Sequence, residues 1–210
     1  LLNPKAHLQK NITIDDVMNS AVVASPLKLY DCCPFSDGAS SVVLCSEKFA
    51  KAHGGDYVEV IGSGRGGSPA ALQGREHMTT IPSTKIAAKA AYDMAGITAK
   101  DVDFAEVHDC FTIAEVVDTE DLGFFGKGQG IQAIREDRTK LNSDISINPS
   151  GGLKSKGHPI GATGVGQVAE VFDQLTGKAG ARTVKDAKIG LTHNFGATGA
   201  SCAVHVFQSV

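Results

Sequence analysis

The sequence is poor in aromatic residues. It has no tryptophan, three tyrosines and nine phenylalanines, and it has 24 glycines instead. Glycine-rich chains of this kind suit tight α/β layers, in which backbones approach closely. No block of like charge occurs, and the formal net charge is only −3. Nothing therefore calls for nucleic acid or an anionic membrane. No apolar run reaches membrane-spanning length. The five cysteines, Cys32, Cys33, Cys45, Cys110 and Cys202, are odd in number and form no CxxC pair. This argues against a disulfide framework and a zinc ribbon, and it favours a reducing compartment. No short-period repeat is present. The start, LLNPKAHLQK, carries no Met, signal peptide or transit-type segment. It reads as a chain that begins in the middle of something longer. With 42% hydrophobic and 20% charged residues, the composition is that of a globular protein.

Periodicity and punctuation place the elements. Residues 12–20 predict a short helix, capped by Thr13 with Asp15 and Asp16 in its first turn. SSVVLC (40–45) reads as a buried strand. The polar stretch SEKFAKAHGGD ends in Gly54-Gly55 and marks a boundary, giving segments 1–55 and 56–210. A βα rhythm follows. Strands are expected at 57–64, 102–110 and 145–152. Helices are expected at 83–96, with Ser83 and Gly96 as caps, and at 111–123 and 161–177. Two last strands, 187–196 and 200–208, are joined by a glycine turn that suits an antiparallel pair. The pattern is that of an α/β layered fold.

Three segments place reactive or glycine-rich residues where an apolar strand ends: AEVHDCFT (105–112), GGLKSKGHPIGATG (151–164) and THNFGATGAS (192–201). In open α/β sheets, ligands collect there. In the second, His158 lies between glycines ahead of a helix start, where an imidazole can act as a base or donate to an oxyanion. Read blandly, it is a structural histidine in a turn. The third has small residues whose N–H groups suit an oxyanion hole, or a hairpin turn that needs glycine for itself. In the first, Cys110 is placed for a lowered pKa from a helix dipole or a neighbouring His. It can also be a small buried hydrophobe. Asp109 can simply cap the following helix. GSGRGG (62–67) imitates a phosphate loop but matches neither dinucleotide nor P-loop spacing. Cys32-Cys33 reads as packing.

Together these segments resemble the C-terminal half of a thiolase. GGLKSKGHPIGATG resembles the family's GHP loop, and CCPFSDGASSVVL resembles the end of its N-terminal domain. Two departures point to the sterol-carrier-protein-2 (SCP2) type. HDCF (108–111) stands where most thiolases carry an Asn-Glu-Ala-Phe-like motif. Asn194-Phe195-Gly196 stands where most carry Cys-x-Gly.

The resemblance implies the αβαβα layered thiolase fold. Residues 1–55 would end the loop region and the N-terminal domain, and 56–210 would form the whole C-terminal domain. It implies an acyltransferase that cleaves 3-ketoacyl-CoA with CoA, or runs the reverse Claisen condensation. His158 would activate the nucleophilic cysteine and help hold a thioester oxygen. Cys110 would move the proton at the α-carbon, and His108 would bind the oxyanion. Gly196 would offer its N–H to the acyl-enzyme oxygen. Lys154, Ser155 and Lys156 are candidate CoA contacts. No metal and no bound cofactor are implied, since CoA and acyl-CoA are substrates. None of Cys32, Cys33 or Cys45 sits in the nucleophile's motif, so the chain reads as an inactive portion whose partner is the remainder of a thiolase. A homodimer or tetramer is implied. The end FQSV is no SKL-type signal, which leaves mitochondrion or cytosol. The alternatives are a silent thiolase-like acyl-CoA or lipid-binding protein and a ketoacyl synthase.

Overall fold

Every second residue in the stretch 62–66 is glycine, and this spacing decides how the layers stack. The computed structural model describes residues 1–210. Its elements run α1 (Ile14–Met18), β1 (Val22–Ala24), β2 (Leu27–Lys28), α2 (Glu47–His53), β3 (Val58–Gly67), α3 (Pro82–Ala95), β4 (Phe104–Glu106), α4 (Thr112–Asp121), α5 (Gly130–Arg135), β5 (Ser146–Ile147), α6 (Gly152–Lys156), α7 (Thr163–Leu175), β6 (Ile189–Gly196) and β7 (Ser201–Ser209). Five strands form one sheet in the order β3-β7-β6-β4-β5. β7 runs antiparallel to both of its neighbours, β3 and β6, and β6, β4 and β5 are parallel. The hairpin of β6 and β7 is the antiparallel pair expected from its glycine turn.

Along β3, Gly62, Gly64 and Gly66 turn one face toward α3. A Cβ there would lie 2.3, 2.0 and 1.9 Å from the backbone oxygens of Ala91, Ala87 and Ser83. The facing side of α3 buries Ser83, Thr84, Ala87, Ala88 and Ala91, all small. Helix and strand thus meet backbone to backbone, and GSGRGG is a packing groove. Val204, Val206 and Leu191 fill the same side. The opposite face carries Phe104, Phe207 and Val171 under α7. Gly190 makes room there, since a Cβ on it would lie 2.4 Å from the Phe104 ring.

Several expectations are corrected. SSVVLC forms no strand, and Val43 and Leu44 are 90% and 79% exposed. Its apolar residues suit a strand, but no neighbouring strand of this chain reaches it. Ser83 does not cap α3: Ile81 holds the cap position, Pro82 opens the helix, and the Ser83 hydroxyl donates to Gly199 O at 2.7 Å. Asp121 of α4 accepts the Ile81 N–H instead, at 2.6 Å. The polar stretch after Ser46 is helical as α2, with Ser46 as its N-cap. The strand expected over 102–110 is only three residues long, because Val107 N–H turns to the Asn148 side chain at 2.8 Å. α5 and α6 were not expected. Thr13 and Asp16 do form a capping box on α1, and Gly96 ends α3 in the left-handed conformation. No helix is long and apolar enough to cross a membrane.

The packing groove is testable within one strand. Gly66→Ala should lower stability by about 3 kcal/mol, as overpacking against backbone does. Gly67→Ala, where the nearest atom would be 3.9 Å away, should change it by less than about 1 kcal/mol. Thermal melts of the two variants would separate them.

Candidate active site

The site is built where β4 ends. Glu106, the last residue of β4, is fully buried. Its carboxylate accepts the Ser150 hydroxyl at 2.6 Å and the Ser150 N–H at 3.0 Å, and Lys156 Nζ lies 3.6 Å away. Asp109 is also buried. The sequence allowed it as a cap on the following helix, α4. It caps α6 instead: Oδ1 accepts Leu153 N–H at 2.7 Å and Oδ2 accepts Lys154 N–H at 3.3 Å. Two carboxylates of one strand end therefore hold the segment that leads to His158.

Other segments close on the same loop. Asn3 Nδ2 donates to Ser150 O at 2.8 Å, and Leu8 N–H to Ser155 O at 2.9 Å. His158 N–H donates to Pro34 O at 3.3 Å, and Phe35 and His158 form a parallel bridge. His158 is thereby set edge-on against His108, with ring centroids 5.0 Å apart and planes at 83°. Phe195 packs on His108 with centroids 4.6 Å apart, directly before Gly196.

The hydrogen bonds assign the His158 tautomer. Thr163 donates its hydroxyl proton to Pro159 O at 3.1 Å, so its oxygen accepts from His158 Nδ1 at 2.7 Å. This leaves Nε2 with a free lone pair. Burial holds the His158 pKa below the ordinary imidazole value. Burial, and then neighbouring His158, push His108 down to about 4, so it is neutral near pH 7. A neutral imidazole still has one N–H for an oxyanion.

Cys110 corrects an expectation. Its thiol is not activated: burial first, then Cys33, Asp118 and Asp109, push it up to about 12. A low-dielectric site crowded with carboxylates disfavours a thiolate. Burial also raises those acids, Asp109 to about 6 and Glu115 to about 7. Asp118 is fully buried and raised further, with neither oxygen hydrogen-bonded and His193 Nδ1 3.5 Å away.

Cys33, read from sequence as packing, lies opposite Cys110. Its N–H donates to Cys110 O at 3.0 Å, and the adjacent Cys32 and Phe111 form an antiparallel bridge. Gly196 ends β6 at an exposed turn, where Ala197 has φ +54°. Of the proposed site residues, Gly196 alone lines a cleft of about 460 Å³, together with Gly161, Gly164, Asn194 and His205. Lys154, Ser155 and Lys156 make internal contacts: the Lys154 ammonium to Tyr30 O, Ser155 Oγ to Leu8 O at 3.1 Å, and Lys156 to Glu106. Sequence reasoning missed Glu106, Asp118 and His193. Their partners lie far along the chain, so no local spacing marks them.

His108 and Cys110 at the end of β4 and His158 after α6 thus meet at one edge of a mixed α/β sheet. Two solved structures share the fold. An Ltp2–ChsH2(DUF35) aldolase superposes with a TM-score of 0.88 at 23% identity, covering 99% of this chain and 54% of that one. A monomeric SCP2-thiolase-like protein type 1 from Mycobacterium smegmatis gives 0.72 at 15%, covering 99% and 42%. Residues 64–209 match the family described as thiolase C-terminal domain-like. The chain is 48% identical over 206 residues to an acetyl-CoA acetyltransferase of Methanothermobacter thermautotrophicus, covering 98% of this chain and 54% of that protein. It is 39% identical over 215 residues to human sterol carrier protein 2, covering 94% and 37%. The chain belongs to the thiolase family, and sterol carrier protein 2 is among the relatives it resembles. It spans about half the length, or less, of these curated relatives.

Two measurements check the electrostatics. Cys45 is exposed and Cys110 is not, so iodoacetamide at pH 7.5 should label Cys45 rapidly and Cys110 at least about tenfold more slowly, as peptide mapping would show. His108 carries a folded pKa below its unfolded value of about 6.5. Its contribution to stability is therefore full above pH 6.5 and is lost as pH falls toward 4. Its ring proton resonance should titrate near pH 4, and His108→Phe should flatten the fall in stability between pH 7 and 5 by about 2 kcal/mol.

Proposed function

We propose that the chain supplies the C-terminal catalytic portion of a thiolase acting on 3-ketoacyl-CoA, by thiolytic cleavage with CoA or by the reverse condensation. One observation carries this reading: the HDCF and GHP loops meet, with His108 against His158, while the last hairpin has Asn194 where the resemblance places a cysteine in most thiolases, and its one thiol, Cys202, is buried beside Thr84. The nucleophilic cysteine belongs to the remainder of the protein. His158 Nε2, left basic by the Thr163 contact, takes that thiol's proton. The thiolate adds to the 3-keto carbon, and the bond to the α-carbon breaks. The departing carbanion takes its proton from the Cys110 thiol. Its thioester oxygen is held by N–H donors of His108 and His158, and the acyl-enzyme oxygen by Gly196 N–H. CoA thiol gives a proton back to Cys110 and attacks the acyl-enzyme; acyl-CoA forms as the bond to the enzyme sulfur breaks, and the freed thiolate takes its proton back from His158. In the reverse direction Cys110 takes the α-proton. A thiol kept protonated suits the donor role, since it needs no thiolate at rest.

The exposed run from Phe35 to Leu44 fits the same reading. A strand-forming apolar segment without a neighbour is where the rest of a thiolase would add one. Assembly as a homodimer or tetramer belongs to this proposal too.

In the full-length protein, Cys110→Ala should reduce CoA-dependent loss of acetoacetyl-CoA absorbance by about a thousandfold or more, the scale of removing an essential acid/base. Near-normal turnover of that variant would refute the role. An acyl-CoA that binds with no turnover of the unaltered protein would favour a silent binding protein instead.

A further inference from the structure

We infer that Asp109 is a positioning residue, one that sets the His158 loop against Cys110 by capping α6; the inference rests on the function proposed above. Asp109 is the residue before Cys110, so its backbone fixes where the thiol stands. Its side chain reaches 44 and 45 positions along the chain to the N–H groups of Leu153 and Lys154. Those open a five-residue helix that ends at Lys156, two residues before His158. One residue thus holds both the thiol's loop and the imidazole's loop.

The fit around it is close. Gly152 has φ +60°, and a Cβ on it would lie 2.3 Å from Asp109 Oδ2. The glycine is required twice, for its conformation and for the approach of the carboxylate. The neighbouring tie, from Glu106 to Ser150, fixes where the loop starts and not how α6 is turned. Two N–H groups on one carboxylate do fix that turn, because each bond is directional and the two oxygens are rigidly joined. His7 and Leu8 pair with the far side of the loop, at the Lys156 and Ser155 oxygens, so they steady α6 without facing Cys110.

A displacement of about 1 Å between reacting groups can cost about a hundredfold in rate. In the full-length protein, Asp109→Ala should therefore lower kcat about 100-fold and leave KM for acetoacetyl-CoA within about threefold. Asp109→Asn keeps one acceptor for Leu153 N–H but turns an NH₂ toward Lys154 N–H, so it should recover roughly tenfold of that loss. Gly152→Ala touches no reacting group and should resemble Asp109→Ala, since it displaces the same oxygen. Amide exchange followed by mass spectrometry provides a readout that needs no turnover. Leu153 and Lys154 should exchange at least about tenfold faster in Asp109→Ala, while the α3 and α7 amides stay protected.

The inference falls if those two amides keep their protection. It also falls if kcat of Asp109→Ala stays within twofold of the unaltered protein, or if kcat and KM change together with no recovery in Asp109→Asn. An unaltered protein that cleaves no acetoacetyl-CoA defeats the functional reading instead, and the exchange result still decides the tie.

Discussion

Two buried carboxylates, Glu106 and Asp109, hold the site together. They lie on either side of His108 at the end of a three-residue strand, and both bind the segment that leads to His158. Burying an anion is costly unless it is hydrogen-bonded, and each of these is, by backbone N–H groups at the start of a loop or helix. Burial first, and then Cys33, Asp118 and Asp109, push the Cys110 thiol up and keep its proton on. Asp109 thus bears on both the geometry and the protonation of the site.

The sheet beneath is arranged to deliver these two loops side by side. β4 and β6 run parallel, so their carboxyl ends open at the same edge. Past the last ladder bonds the strands part, and Gln167 of α7 fills the gap. Its amide donates to Glu106 O at 3.3 Å and His193 O at 3.1 Å, and its oxygen accepts from Asn194 at 3.1 Å. Asn194 is thereby engaged in structure. On the far side of the sheet, the β3 glycines bring α3 close enough for Ser83 to bind the hairpin turn at Gly199 O.

Much of this was legible in the sequence, and the reasons differ by element. α3, α7 and the β6–β7 hairpin carry long periodic patterns with caps or a glycine turn, and they form near the expected bounds. The loops HDCF and GHP could be singled out because reactive residues follow an apolar run. What local reading could not supply was the pairing across the chain. Asp109 looked like a cap for the helix beside it, and it caps one more than forty positions away. Cys110 looked poised for a thiolate, because a helix start and a histidine were visible and the buried carboxylates around it were not. SSVVLC has the composition of a strand, but strand formation needs a neighbour, and propensity cannot report one.

The raised thiol clarifies the division of labour on the proposed reading. Claisen chemistry with thioesters asks two opposed things of sulfur. The acyl carrier must be a thiolate at the moment of attack, while the group at the α-carbon must hold a proton until carbon needs it. One thiol cannot be tuned both ways in one environment, because a change that stabilises the anion lowers the pKa and with it the hold on the proton. The surround of Cys110 is tuned wholly to the second task. His158 is set for the first, with Nδ1 tied to Thr163 and Nε2 open, in a position that Cys110's acidic neighbours do not neutralise because burial keeps the ring uncharged. On the proposed reading the acyl carrier is then a second thiol that faces Nε2, in surroundings less acidic than those of Cys110.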